Sequence, residues 1–440
     1  MFRLFFLLLI CPGLYAKDLG KILWGETPLN SPINFDFISS KSNKSNNRNF
    51  SGTYSINSFP EGIGVEVIKD EKTFKNRNND ELFKQFPEFT LDISIEGKNV
   101  TILNKGIIET NNDFWDLSFS DGFSWLEDGL IFISAPFSLI QKNANCVHNG
   151  VLIFSINDNN EISKSIFQIS SETCAYFQFN YIAIFNSFFD ITSYNHESDS
   201  SIHKFASFED IYTKYPNIPK ESFADSESFV GDEVTAFGFF DGEEHFIGPC
   251  KTRSGNYPFC KNILLPAYSL TKTLSGTLGI AAYEKKYGPI KNILIENIVS
   301  SCSDKKWKDI TIENLSDMST GHYKSSSHYS DEDSLASVNF IFNKLNHEEK
   351  VNFSCNNYPK KKKPGTIFVY QTSNTYLIGT SLNNLLSDKE EDDFFSDLLV
   401  PIFDHNNFSE KIKYIRRTDD IRHQPYTGWG MFLQRDDLVK

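Results

Sequence analysis

Beyond its first residues the sequence has no apolar run approaching the roughly 20 residues that a membrane-spanning helix needs. Positive charge is scarce as well: 43 Lys and Arg stand against 57 Asp and Glu, a formal net charge of −14. That balance argues against nucleic acid or an anionic membrane as the partner. The run Pro359-Lys-Lys-Lys-Lys-Pro364 is a local exception and reads as a solvated loop. There is no C-x-x-C and no H-E-x-x-H, and the nine histidines are scattered, which removes the common zinc patterns. A G-x-S-x-G nucleophile elbow, a P-loop and a Rossmann glycine pattern are also missing, so α/β-hydrolase and nucleotide-binding chemistries drop out.

The first 16 residues read as a secretory signal. Arg3 supplies the positive charge, Leu4 to Ile10 the apolar core, and Leu14-Tyr15-Ala16 a cleavage site before Lys17. Cys11 would suit a lipoprotein, but the bulky Ile10 before it speaks against lipidation. The protein is therefore expected to be exported, periplasmic or secreted. The other six cysteines then suit disulfides. Spacing leaves connectivity open. Pairing of neighbours (Cys146 with Cys174, Cys250 with Cys260, Cys302 with Cys355) is the simplest solution, because each pair closes a local loop.

At 440 residues there is room for two domains. Residues 31–58 are crowded with Ser and Asn, and residues 17–60 are expected to form a loosely structured arm. Residues 61–200 carry short β-like runs parted by turn residues, among them Gly64-Val-Glu-Val-Ile68, Phe89-Thr-Leu-Asp-Ile-Ser-Ile95, Leu130-Ile-Phe-Ile133, Val151-Leu-Ile-Phe154 and Tyr181-Ile-Ala-Ile184. They predict a β-rich N-terminal domain, with a sandwich as one solution. A polar stretch at 195–201 and a helix-like stretch at 205–215 mark the join to a second domain, 201–440. There, residues 234–247 read as a β-hairpin turning at Asp241-Gly242, with helices near 308–315 and 375–386. Polar insertions at 324–334 and 388–393 read as exposed loops.

Chemistry concentrates in Leu265-Pro-Ala-Tyr-Ser-Leu-Thr-Lys-Thr-Leu-Ser-Gly-Thr-Leu-Gly-Ile280, which reads as a turn followed by a helix. Residues i and i+3 share a helix face, so the Ser269 hydroxyl and the Lys272 amine can meet. A serine hydroxyl is a poor nucleophile until a neighbouring base takes its proton, and a lysine can do so once burial lowers its pKa. The bland alternative is a surface serine and a solvated lysine. Leu270, Leu274 and Leu278 recur at helical spacing as a core-facing stripe, and Gly279 inside a helix implies tight packing. Unpaired N–H groups at the helix start could help hold an oxyanion.

With its hairpin, turn and S-x-x-K helix in that order, the chain resembles the serine β-lactamase and penicillin-binding-protein superfamily, and within it the class C-related serine hydrolases. Two further pieces are similar to family signatures. One is Thr311-Ile-Glu-Asn-Leu-Ser-Asp-Met-Ser-Thr-Gly321; the other is Pro364-Gly-Thr-Ile-Phe-Val-Tyr-Gln-Thr-Ser-Asn-Thr-Tyr-Leu-Ile-Gly379. The resemblance covers residues 234–440. It implies Ser269 as nucleophile, Lys272 as its base and Tyr370 in the proton network, its phenol lowered by flanking lysine charge. The alternative for Tyr370 is a core aromatic. Where the family has Asn two residues after that tyrosine, this chain has Thr372, followed by Asn374; these two take the substrate-binding place.

A larger departure lies downstream. No K-[ST]-G or H-x-G follows Tyr370, and Tyr426-Thr-Gly428 with its surroundings resembles instead the lead-in that precedes the third motif. Lys440 falls about where the next helix would begin, so the resemblance implies a domain cut short or decayed there. The fold expectation is α+β: a β-rich N-terminal domain, then a transpeptidase-like domain of helices flanking an antiparallel sheet. The functional expectation is an exported serine hydrolase acting on a small-molecule or peptide ester or amide, a β-lactam included. It needs no metal or organic cofactor. The alternative, of another class, is a catalytically weak envelope binding protein with a relic hydrolase domain. Oligomeric state is not legible.

Overall fold

The computed structural model describes residues 19–56, 61–71, 82–142, 144–170, 173–192, 204–219, 222, 236–327, 329–387 and 393–440. The signal segment, Cys11, residues 195–201, Val234 and most of the 388–393 insertion lie outside them. The protein mixes helices and strands and is dominated by a large antiparallel sheet. Its strands are β1 (Asn49–Ile56), β2 (Glu61–Asp70), β3 (Thr90–Glu96), β4 (Asn99–Ile102), β5 (Ile107–Ile108), β6 (Trp115–Phe119), β7 (Gly122–Glu127), β8 (Leu130–Gln141), β9 (Val147–Ile156), β10 (Ser165–Ile169), β11 (Phe177–Phe185) and β12 (Ser187–Thr192). The main path runs β12-β1-β3-β4-β7-β8-β9-β10-β11-β2, with β6 joining β8 and β5 joining β6.

Side chains alternate across each strand. On β8, Ile131, Ile133, Ala135, Phe137 and Leu139 enter one core, while Phe132 faces another. The first core draws residues from strands throughout the sheet. The sheet is rolled, because Tyr54 on β1 stacks on Phe154 of β9 at 4.8 Å although β3, β4, β7 and β8 separate them in strand order. The Tyr54 hydroxyl also donates to Ser165 on β10 at 2.8 Å. The inside is thus one aromatic core rather than the gap between two sheets of a sandwich. Residues expected to form an arm are built into this structure. β1 pairs with β3 and β12, and helices α1 (Leu19–Leu23) and α2 (Phe35–Lys41) lay Leu19, Leu23, Phe35 and Ile38 against the outer face. Sparse apolar residues at the right register outweigh a polar average.

Residues 205–215 divide into strand β13 (Lys204–Ser207) and helix α3 (Asp210–Lys214), because β13 finds a parallel partner. β14 (Gly238–Phe240) and β15 (Glu244–Ile247) form the expected hairpin, with Gly242 at φ +98° in the turn. After the short pair β16 (Lys251–Thr252) and β17 (Gly255–Asn256), the chain is mainly helical. The helices are α4 (Leu278–Tyr287), α5 (Ile312–Ser316), α6 (Leu335–Phe342), α7 (His347–Asn356), α8 (Thr372–Leu386) and α9 (Val400–His405). They share a second core around Trp307, Tyr376, Leu377 and Leu382. Among the described residues of 201–440 the strands form only small groups, β13-β15-β14, β16-β17 and the pair β18 (Leu264–Pro266) with β19 (Phe432–Gln434), so the large antiparallel sheet lies in the N-terminal half. Beside the β18–β19 pair, Ile415 bridges Met431 and Arg417 bridges Pro425 as isolated antiparallel contacts.

Buried polar contacts join the large sheet to this helical part. Asn149 of β9 accepts from the Leu264 N–H at 3.0 Å and donates to its carbonyl at 2.9 Å, as a neighbouring strand would. Arg416 is buried against Asp116 of β6 and donates to the Gln141 carbonyl at 2.9 Å. Lys411 donates to the Gly106 and Phe119 carbonyls, and burial pushes its amine down to about 7.

The three neighbouring cysteine pairs are disulfide-bonded. Among the described residues no helix is long and apolar enough to cross a membrane, and both facts are compatible with an exported protein. Cys302–Cys355 closes a loop of 53 residues between the second core's elements. The chain-entropy relation gives such a loop about 4 kcal/mol. A Cys302→Ser/Cys355→Ser double variant should lose about that much in urea titration; an unchanged midpoint would show that the bond contributes nothing.

Candidate active site

Ser269 lies in a turn between β18 and a helical stretch that begins at Leu270 and continues, through a π-helical segment (Lys272–Thr277), into α4. Tyr268 just before it has φ +44°, a left-handed conformation that costs a non-glycine residue on the order of 1–2 kcal/mol. The surroundings hold it there: the Ala175 N–H donates to the Tyr268 hydroxyl at 3.0 Å, and Tyr176 packs edge-on to its ring at 6.3 Å. Both residues follow Cys174, so the rolled sheet and its Cys146–Cys174 bond help shape the turn that presents Ser269.

Three of the residues singled out by sequence meet here. Lys272 Nζ donates to Ser269 Oγ at 3.1 Å and to the Gly428 carbonyl at 2.8 Å. Tyr370, 101 residues downstream, donates its hydroxyl to the same Oγ at 2.6 Å. The amine also lies 5.0 Å from the centre of the Tyr370 ring. Ser269 itself is exposed. Burial lowers the Lys272 pKa to about 8, against an opposing pull from the Glu332 carboxylate. Tyr370 goes the other way: burial raises it, Ser269 opposes and Glu332 adds to the rise. The expectation that lysine charge lowers this phenol is therefore corrected. Burial disfavours the Tyr370 anion more than the Ser269 hydrogen bond favours it, and the Glu332 charge works in the same direction as burial.

The other two residues sit differently. Thr372 and Asn374 are both buried at the start of α8. The Thr372 N–H donates to Glu332 Oε2 at 2.9 Å and its hydroxyl to Oε1, so its side chain is committed within the protein. At the helix start, the N–H groups of Leu270, Thr271 and Lys272 close turns onto the carbonyls three residues back. The donor left facing Ser269 is its own N–H, which has no partner among the described residues.

The leucine stripe is corrected in part: Leu274 and Leu278 pack against the second core, but Leu270 faces solvent. Leu270 is 53% exposed and Leu274 and Leu278 are half-buried, whereas Thr271, Ser275, Gly276, Gly279 and Ile280 form the buried face. Small residues bring the helix close to α8. A Cβ on Gly279 would meet Leu382 at 2.9 Å, so the tight packing read from that glycine is present.

Three contributors escaped the sequence. Gly428 offers its carbonyl to Lys272 from a bend in which Thr427 has φ +63°. Asp331 and Glu332 come from a stretch expected to be an exposed loop, yet Asp331 is buried and accepts from the Lys324 and Ser325 N–H groups and the Gln371 amide. The available signal was an acidic run, Asp331-Glu332-Asp333, just ahead of Ser334, the N-cap of α6. Nothing local ties it to Tyr370.

No protein-family model matches the chain, and no curated protein matches it either. Among solved structures, "Putative 6-aminohexanoate-dimer hydrolase from Bacillus anthracis" is similar at 10% sequence identity with a TM-score of 0.34. The likeness spans 54% of this chain and 60% of that chain. Similarity of that size carries no functional argument, so the reading below rests on the site.

Proposed function

We propose that this protein is an exported serine hydrolase that cleaves an ester or amide through an acyl-enzyme on Ser269, in a domain of the β-lactamase-related kind. The observation that carries the reading is the convergence of Lys272 and Tyr370 on one exposed serine oxygen. Neutral Lys272 accepts the Ser269 proton as Oγ attacks the carbonyl carbon. The Ser269 N–H faces the developing oxyanion. Tyr370, kept protonated by burial, passes its proton to the leaving oxygen or nitrogen and regains one from the Lys272 ammonium. Water then attacks the acyl carbon, losing a proton to neutral Lys272, and that proton passes to Ser269 Oγ as its bond to the acyl carbon breaks and the acid leaves. Exposed Leu270, Tyr329 and Phe368 lie beside Ser269 or Tyr370 in sequence or by ring contact, which favours substrates with an apolar substituent. A catalytically weak binding role remains the second reading, supported by the sequence's lack of a K-[ST]-G or H-x-G after Tyr370.

The test is reaction of the purified protein with a fluorophosphonate probe, read by peptide mass spectrometry. Modification at Ser269 is expected; folded protein that takes up no probe would overturn the reading. The pH dependence follows from Lys272. Below a pKa of about 8 it is an ammonium that only donates to Oγ, and above it the amine can accept. The rate should therefore rise through about pH 8 and hold until the raised Tyr370 ionises. A rate that is flat from pH 6 to 10 would exclude Lys272 as the base.

A further inference from the structure

We infer that Glu332 is a positioning residue of this site, its carboxylate clamping the first turn of α8 so that Tyr370 stays over Ser269 while its charge faces Lys272. The inference rests on the reading of Ser269 as nucleophile. Its basis is a set of contacts across about 40 residues of chain. Glu332 Oε2 accepts from the Thr372 N–H at 2.9 Å, and Oε1 accepts from the Thr372 hydroxyl. The Ser337 hydroxyl reaches Oε2 at 3.4 Å from α6. Next to it, Asp331 and the His322 carbonyl accept from the Gln371 amide at 3.0 and 3.1 Å. Gln371 and Thr372 directly follow Tyr370, so the two acids and one carbonyl fix the tyrosine's backbone on its C-terminal side.

A carboxylate here does more than cap a helix, because a glutamine or serine would satisfy one N–H equally well. The charge of Glu332 acts on Lys272 and on Tyr370, raising both. The other groups around this centre are Asp331, which is held by Gln371 and two backbone N–H groups, and Tyr358, which burial raises with both acids adding to the effect. From the facing 426–431 segment Lys272 meets the neutral Gly428 carbonyl. The Glu332 charge thus favours the Lys272 ammonium, against burial. Its loss should make Lys272 easier to deprotonate while loosening Tyr370.

The experiment measures the rate of fluorophosphonate modification of Ser269 from pH 6 to 10 in the full chain and in Glu332→Gln and Glu332→Asp, with circular dichroism confirming folding. Glu332→Gln should move the rising limb to lower pH by about half a unit or more and reduce the limiting rate several-fold. Glu332→Asp keeps the charge with a shorter reach, so its limb should stay with the wild type while its limiting rate falls. An unmoved limb in Glu332→Gln, or an equal shift in both variants, overturns the inference but leaves the nucleophile standing. A wild-type protein that does not react overturns both.

Discussion

Replacing Ser269 with alanine is expected to abolish fluorophosphonate modification and ester hydrolysis, and Lys272→Ala to slow both by on the order of 10³-fold or more. The two losses have different origins. Ser269→Ala removes the atom that forms the covalent bond. Lys272→Ala leaves that atom with only a phenol beside it, whose pKa burial raises, so nothing close by accepts its proton near neutral pH. Groups acting as one unit are not additive, so the double variant should be no slower than Ser269→Ala alone. Lys272→Arg would not rescue, because a guanidinium stays protonated and cannot serve as base. Kinetics on a p-nitrophenyl ester, with folding checked by thermal melts, decide the matter. Lys272→Ala within about threefold of wild type would remove the lysine from the mechanism.

The largest expected loss of stability comes from the contact between the rolled sheet and the helical part. Arg416 and Asp116 are both nearly inaccessible and bonded to each other, and Arg416 also donates to the Gln141 carbonyl. Arg416→Ala leaves the Asp116 charge buried, with Lys142 at 3.5 Å as its remaining cation. Breaking such a pair from one side costs about 3–5 kcal/mol, whereas replacing both partners by apolar residues can be nearly neutral. Arg416→Met with Asp116→Leu should therefore recover much of what Arg416→Ala loses. Urea titration of the three variants tests this; a single variant losing less than about 1 kcal/mol would show that the pair is not under the strain of burial assumed here.

Some of this architecture was legible locally. Short apolar runs at residues 130–133, 151–154 and 181–184, parted by turn residues, marked strands that the structure contains. The cysteine neighbours were close enough in sequence to be the cheapest loops to close, and they are the pairs formed. The Ser-x-x-Lys spacing foretold a meeting of hydroxyl and amine, because a helical turn allows few other relations between i and i+3. Other features were misread for one reason. A polar average over residues 17–60 hid β1, whose place between β3 and β12 depends on partners far along the chain.

The sequence by itself thus determined what three or four bonds of local geometry can dictate: strand faces, a hairpin turn at Gly242, and a serine within reach of a lysine. Tertiary structure alone decided the rest. It turned Leu270 to solvent, brought the Gly428 carbonyl 156 residues along the chain to Lys272, and set Glu332 against the residue two places after Tyr370. It also raised the Tyr370 pKa where nearby lysines suggested a fall. Periodicity fixes the direction of a side chain, but its neighbours and its desolvation depend on which distant surfaces pack together, and no local spacing encodes that.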